Sequence, residues 1–119
     1  MILIVAHNPD LAGIWASHLE RRGQVVSVVG SQGEAIVFLR DNPVEVIVLD
    51  LLLKDGSPIA VADYASYRWP ASKIVFVTNR TFFSDGSIFN HIPNAAAILA
   101  DATPPKDLAT IVEYHGRVI

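Results

Sequence analysis

Asp50 closes the apolar, largely β-branched stretch Val44-Glu45-Val46-Ile47-Val48-Leu49, and a turn signal, Asp55-Gly56, comes shortly after it. A run of this kind that stops on one carboxylate reads as a buried strand presenting that group at its carboxyl end. Other apolar runs end on groups that could join it: Ile2 to Val5 leads into Ala6, His7 and Asn8, Ile74 to Val77 into Thr78 and Asn79, and Ala95 to Leu99 towards Asp101. A carboxylate so placed can attack a phosphoryl donor and become an aspartyl phosphate. The reaction wants positive charge against the equatorial phosphoryl oxygens, usually Mg²⁺ held by carboxylates together with a lysine. Neither helper stands at these strand ends. His7 is placed to substitute for them, as an imidazolium between Asp50 and Asp101. Each residue also has a plainer role: Asp50 as a turn or cap residue, His7 as a loop histidine, Thr78 as a hydroxyl serving a loop amide.

These groups meet only if the runs lie side by side in one sheet. Five runs recur, Ile2 to Val5, Val25 to Val29, Val44 to Leu49, Ile74 to Val77 and Ala95 to Leu99, and several are continuous rather than alternating, as in strands covered on both faces. Helical segments separate them. Asn8 is placed to cap the first, with Pro9 at its first position, Gly23 as a stop, and Leu11, Ile14, Trp15 and Leu19 on one face. Ser31-Gln32-Gly33-Glu34 reads as a capping box opening a second helix that ends before Pro43. Pro58 to Arg68 forms a third, ending at Trp69, which packs there. Thr103-Pro104-Pro105 caps a last helix through Leu108, Ile111 and Val112. The segment from Arg80 to Pro93, with Gly86 inside it, has a weak pattern and reads as a short helix. Five β-α units with short loops predict an α/β fold: a five-stranded doubly wound parallel sheet of order 2-1-3-4-5 with helices on both faces. In such a sheet the carboxyl ends of strands 1, 3, 4 and 5 gather at one crevice.

Composition narrows the field. The 119 residues make one domain, residues 1 to 119, with enough chain for a real core. There is no cysteine, which excludes disulfides, thiolate metal sites and cysteine nucleophiles. A net charge of −3 without a Lys/Arg cluster gives no footprint for nucleic acid. No apolar run is long enough to span a bilayer, and the first residues lack the features of a signal peptide, so a cytoplasmic protein without membrane contact is expected.

Over essentially its whole length the chain resembles the receiver domains of response regulators, the CheY-like family. The resemblance is carried by ILIVAHN, VIVLDLLLKDGSP, KIVFVTN and AILADATPPKDL. The stretch at Asp50 is the most specific of these: receivers follow this Asp with Leu-x-Leu-Pro-Asp-Gly, and here only the Pro is replaced, by Lys54. The resemblance implies that Asp50 is the phosphoacceptor and Thr78 the hydroxyl that bonds the phosphoryl group and shifts on activation. It also exposes departures. The acidic pair that holds Mg²⁺ falls on Ala6 and His7, the lysine on Asp101, and the aromatic switch position on Ile98.

Two carboxylates about 6 Å apart in an effective dielectric of about 20 repel by about 3 kcal/mol, so an Asp50 facing Asp101 is expected to be a poor acceptor. The implied function is two-component phosphorelay signalling by a stand-alone receiver with a degenerate site, acting through protein contacts and not as an enzyme. Expected partners are a sensor histidine kinase or another signalling protein. No cofactor is expected, or at most Mg²⁺ held weakly at Asp50. Phe82, Phe83, Phe89 and Ile92 read first as core and second as a surface on which a homodimer forms. One alternative is a fully working acceptor phosphorylated on Asp50 by a histidine kinase. A small-ligand binder is the other, and the lack of a G-x-G-x-x-G or Walker-type loop argues against it.

Overall fold

The protein is described here by a computed structural model covering residues 1–79 and 92–116. Five parallel strands, β1 (Ile2–Val5), β2 (Val26–Val29), β3 (Val46–Asp50), β4 (Lys73–Thr78) and β5 (Ala95–Ala100), pair in the order β2-β1-β3-β4-β5. This is the expected doubly wound sheet. Among the described residues four helices flank it: α1 (Pro9–Glu20), α2 (Gln32–Asp41), α3 (Pro58–Arg68) and α4 (Pro105–Gly116).

Alternate side chains of each inner strand enter different cores, which is why the runs are apolar without a break. Ile2, Ile4, Val46, Val48, Val75 and Val77 pack against Trp15 and Leu19 of α1 and Leu108 and Val112 of α4. Leu3, Val5, Ile47, Leu49, Ile74 and Phe76 pack on the other face, against Ala35 and Leu39 of α2 and Val61 and Ala65 of α3. Among the described residues β2 pairs with β1 alone, and Val28 on this edge is exposed.

The helix starts follow the local chemistry. Asn8 Oδ1 accepts from the amides of Asp10 and Leu11 at 3.0 and 3.3 Å, and Pro9 needs no amide partner at the first position. Ser31 Oγ accepts from the Glu34 amide at 3.2 Å, while Glu34 Oε1 accepts from the Gly30 amide at 3.1 Å, closing the capping box one residue further out than its usual form. Ser57 caps α3 through the Ala60 amide at 3.2 Å. At its end, Trp69 Nε1 donates to the Leu39 carbonyl at 2.6 Å, tying α3 to α2.

Several boundaries and assignments differ from the sequence reading. Val25 lies before β2 and is exposed, and Val44 is buried in the loop ahead of β3. Ile14 is 48% exposed, because the buried stripe of α1 runs through Ala12, Trp15 and Leu19 and leaves Ile14 off its edge. Pro104 rather than Thr103 stands at the cap position of α4: its carbonyl accepts from the Leu108 amide, and the Thr103 amide instead closes a turn onto the Ala100 carbonyl. Ile92 is 3% exposed and packs in the core beside α2 and α3, so it contributes to no docking surface. The helix assigned to Arg80–Pro93 lies almost wholly outside the described residues, as do Phe82, Phe83 and Phe89.

Candidate functional site

Parallel pairing brings the strand ends together as the order requires. Val5 pairs with Leu49, and Asp50 with Val77, so His7, Asp50 and Thr78 come together from three adjacent strands at the carboxyl end of the sheet. Asp50 is buried and Thr78 fully so. The two oxygens of Asp50 have different surroundings. Oδ1 accepts from the Leu52 amide at 2.8 Å, the local bond a short acidic side chain makes two residues on. Oδ2 lies 3.4 Å from Nδ1 of His7. That spacing is within ion-pair reach, yet it lacks the alignment of a hydrogen bond, and Nδ1 is buried without a hydrogen-bond partner.

Asp101 stands apart from this pair. It is exposed, its amide donates to the Thr78 carbonyl at 2.8 Å, and it forms no ion pair with His7. Ala6 is buried, with no polar group to offer. Ile98 is half-buried in β5 against the α2–α3 core. The Thr78 hydroxyl is buried without a hydrogen-bond partner. Of the sequence candidates, then, the structure joins His7 to Asp50, sets Thr78 on the next strand, and leaves Asp101 in solvent.

A contact between loops escaped the sequence reading. Gln32 at the start of α2 reaches the turn after Asp50: its amide donates to the Asp55 carbonyl at 3.0 Å and its Oε1 accepts from the Ser57 amide at 2.7 Å. Gly56 between them has φ +98°, and a Cβ there would stand 2.3 Å from Cβ of Gln32. Asp55-Gly56 announced the turn, but nothing in the sequence names the side chain that fills its concave side.

The donor set does not suit Mg²⁺. Mg²⁺ takes hard oxygen ligands in near-octahedral geometry. Here one position of the expected acidic pair is a methyl group, the other an imidazole already against Asp50. No group of three or more His, Asp or Glu side chains among the described residues could hold a metal. A cavity of about 300 Å³ opens instead at the amino ends of the strands, between Pro43, Glu45, Trp69, Lys73 and His115, the far end of the sheet from Asp50. No helix among the described residues is long and apolar enough to cross a membrane.

Among solved structures the chain has the fold of response-regulator receiver domains. It is similar to a CheY-like receiver domain of Methanospirillum hungatei (TM-score 0.85, 21% identity, 97% of this chain and 91% of that one). A non-phosphorylated HemR receiver domain of Leptospira biflexa matches with TM-score 0.86 and 21% identity over 99% of this chain and 94% of that one. A response regulator of Burkholderia pseudomallei, solved with a phosphorylated aspartic acid, calcium and citrate, matches with TM-score 0.80 and 21% identity over 97% of this chain and 67% of that one. Comparison with protein-family models and with curated proteins finds no match.

Proposed function

We propose that this chain is a receiver-type module of two-component signalling whose output is carried by protein contacts and whose acceptor site has lost its metal-dependent chemistry. The receiver fold and the position of Asp50 at the end of β3 support the first part. The observation that carries the second is His7, whose ring lies 3.4 Å from Asp50 on the side where receivers place their acidic pair. An imidazole there stands in place of the hard oxygen ligands that Mg²⁺ requires, so the site brings no divalent charge to the oxygens of an incoming phosphoryl group. The module is cytoplasmic, catalyses no reaction of its own, and meets a sensor histidine kinase or another signalling protein.

A working acceptor is the competing reading, and the phosphorylated aspartic acid of the Burkholderia protein is its precedent. Incubation with a small phosphodonor, with and without Mg²⁺, followed by intact mass, separates the two. The expected result is no Mg²⁺-dependent adduct on Asp50. An adduct that forms with Mg²⁺, disappears in EDTA and is absent from Asp50→Asn would sink the proposal.

A further inference from the structure

The paired nitrogen of His7 is Nδ1, and the other nitrogen is accessible. Nδ1 is buried beside Asp50 Oδ2, while the side chain as a whole is 30% exposed. Nε2 makes no hydrogen bond to the protein and is not closed off from solvent. Asp50 meanwhile has one oxygen held by the Leu52 amide and the other turned to the imidazole. A carboxylate within ion-pair reach of one nitrogen of a histidine favours the tautomer with its proton on that nitrogen and leaves the lone pair on the other, even where the two groups are not aligned as a hydrogen bond. The carboxylate that resembles an acceptor here lies where it can act electrostatically on the imidazole.

Resting on the reading above, in which the metal-dependent chemistry of Asp50 is gone, we infer that Nε2 of His7 is the phosphoryl acceptor of this site, and that its donors are phosphoramidates, including a phosphohistidine on a partner protein. With the proton on Nδ1 beside Asp50, Nε2 holds a lone pair. It attacks phosphorus; the Nε2–P bond forms as the donor N–P bond breaks, and the donor nitrogen keeps the bonding pair. When the donor is a phosphohistidine protonated on its second nitrogen, it leaves as neutral imidazole, while His7 becomes a phosphorylated imidazolium that retains its Nδ1 proton. No proton is exchanged and no oxidant is needed. The Asp50 carboxylate faces the positive charge that develops on the ring, which removes the need for a metal at that position.

The test uses the full chain with phosphoramidate in EDTA, read by intact mass, lability and peptide mapping. The expected product is one phosphoryl adduct on the peptide containing His7, stable in alkali and lost in acid, as a phosphorus–nitrogen bond is and an acyl phosphate is not. His7→Gln should abolish it. Asp50→Asn should keep it but slow its formation by about tenfold or more, as loss of an orienting acid–base partner does. Mapping on the unaltered protein decides the matter even where a variant fails to fold. An alkali-labile adduct that requires Mg²⁺, survives His7→Gln and vanishes in Asp50→Asn overturns both this inference and the proposed function. Absence of any adduct, with or without Mg²⁺, overturns this inference alone.

Discussion

Gly56→Ala is a substitution at a solvent-exposed position that should nonetheless be costly. Two effects add. A non-glycine residue at φ +98° costs about 1–2 kcal/mol. The new Cβ would also lie 2.3 Å from Cβ and 2.6 Å from Oε1 of Gln32, so one of the two segments must move. The first bond lost in that movement is the one from the Ser57 amide to Gln32 Oε1, at 2.7 Å, whose net worth is about 1 kcal/mol. The sum is about 2–3 kcal/mol, and at about 4 °C per kcal/mol for a domain of this size the melting temperature should fall by about 10 °C. Urea denaturation reads the same loss as a lower midpoint at unchanged slope. Repeating the measurement in a Gln32→Gly background separates the two effects: the backbone strain stays and the collision goes, leaving a coupling of about 1 kcal/mol between the positions. A Gly56→Ala cost below about 0.5 kcal/mol, or one identical in both backgrounds, would refute the close approach of Gln32 to the turn.

The two tryptophans should behave differently when each is changed to Phe, by urea denaturation. Trp69→Phe removes the bond from Nε1 to the Leu39 carbonyl and weakens the stacking of the Arg68 guanidinium, 4.0 Å from the ring centre, for a loss of about 1–2 kcal/mol. Trp15 is 1% exposed with Nε1 unpartnered, so Trp15→Phe loses packing volume but also removes an unsatisfied donor, and the penalty reflects the cavity rather than a hydrogen bond. Refilling that space with Tyr should therefore not restore stability, since it reintroduces a buried donor. Asn8→Ala should destabilise by about 1 kcal/mol through the freed amides of Asp10 and Leu11, and Asn8→Asp should retain most of that stability; thermal melts at neutral pH distinguish the pair.

The strand order and three of the helix starts could be read from the sequence because each rests on local or periodic signals: unbroken apolar runs for doubly covered strands, Asn8 and Ser31 ahead of their helices, and Pro58 at the first position of its own. Errors came where a residue's fate depended on a partner distant in sequence. Ile14 has the same apolar character as Trp15, and only the direction in which α1 lies on the sheet decides which of them is covered. Ile92, read first as core, is indeed covered, packing in the core that includes Ile74 and Phe76. At the site, Asp50 and Thr78 were located by the ends of their runs, and His7 was placed near Asp50 by strand order alone. The choice of Asp50 over Asp101 as its companion was not legible, since it depends on which way two loops turn. Gln32 was invisible for the same reason: its contacts reach Asp55 and Ser57, the latter 25 residues away along the chain, a separation that no periodicity spans.

Asp50 also occupies a peculiar position between the two halves of the interior. Through Oδ1 and the Leu52 amide it grips the turn that Gln32 fastens to α2, on one side of the sheet; through Oδ2 it addresses His7, which leads directly into α1 on the other. The sheet partitions the apolar side chains into two compartments, and this carboxylate is a polar crosspiece joining their rims. A chemical event at its edge is thus divided between opposite surfaces of the protein, so that partners resting on α1 and on α2 would register the same event from two sides at once.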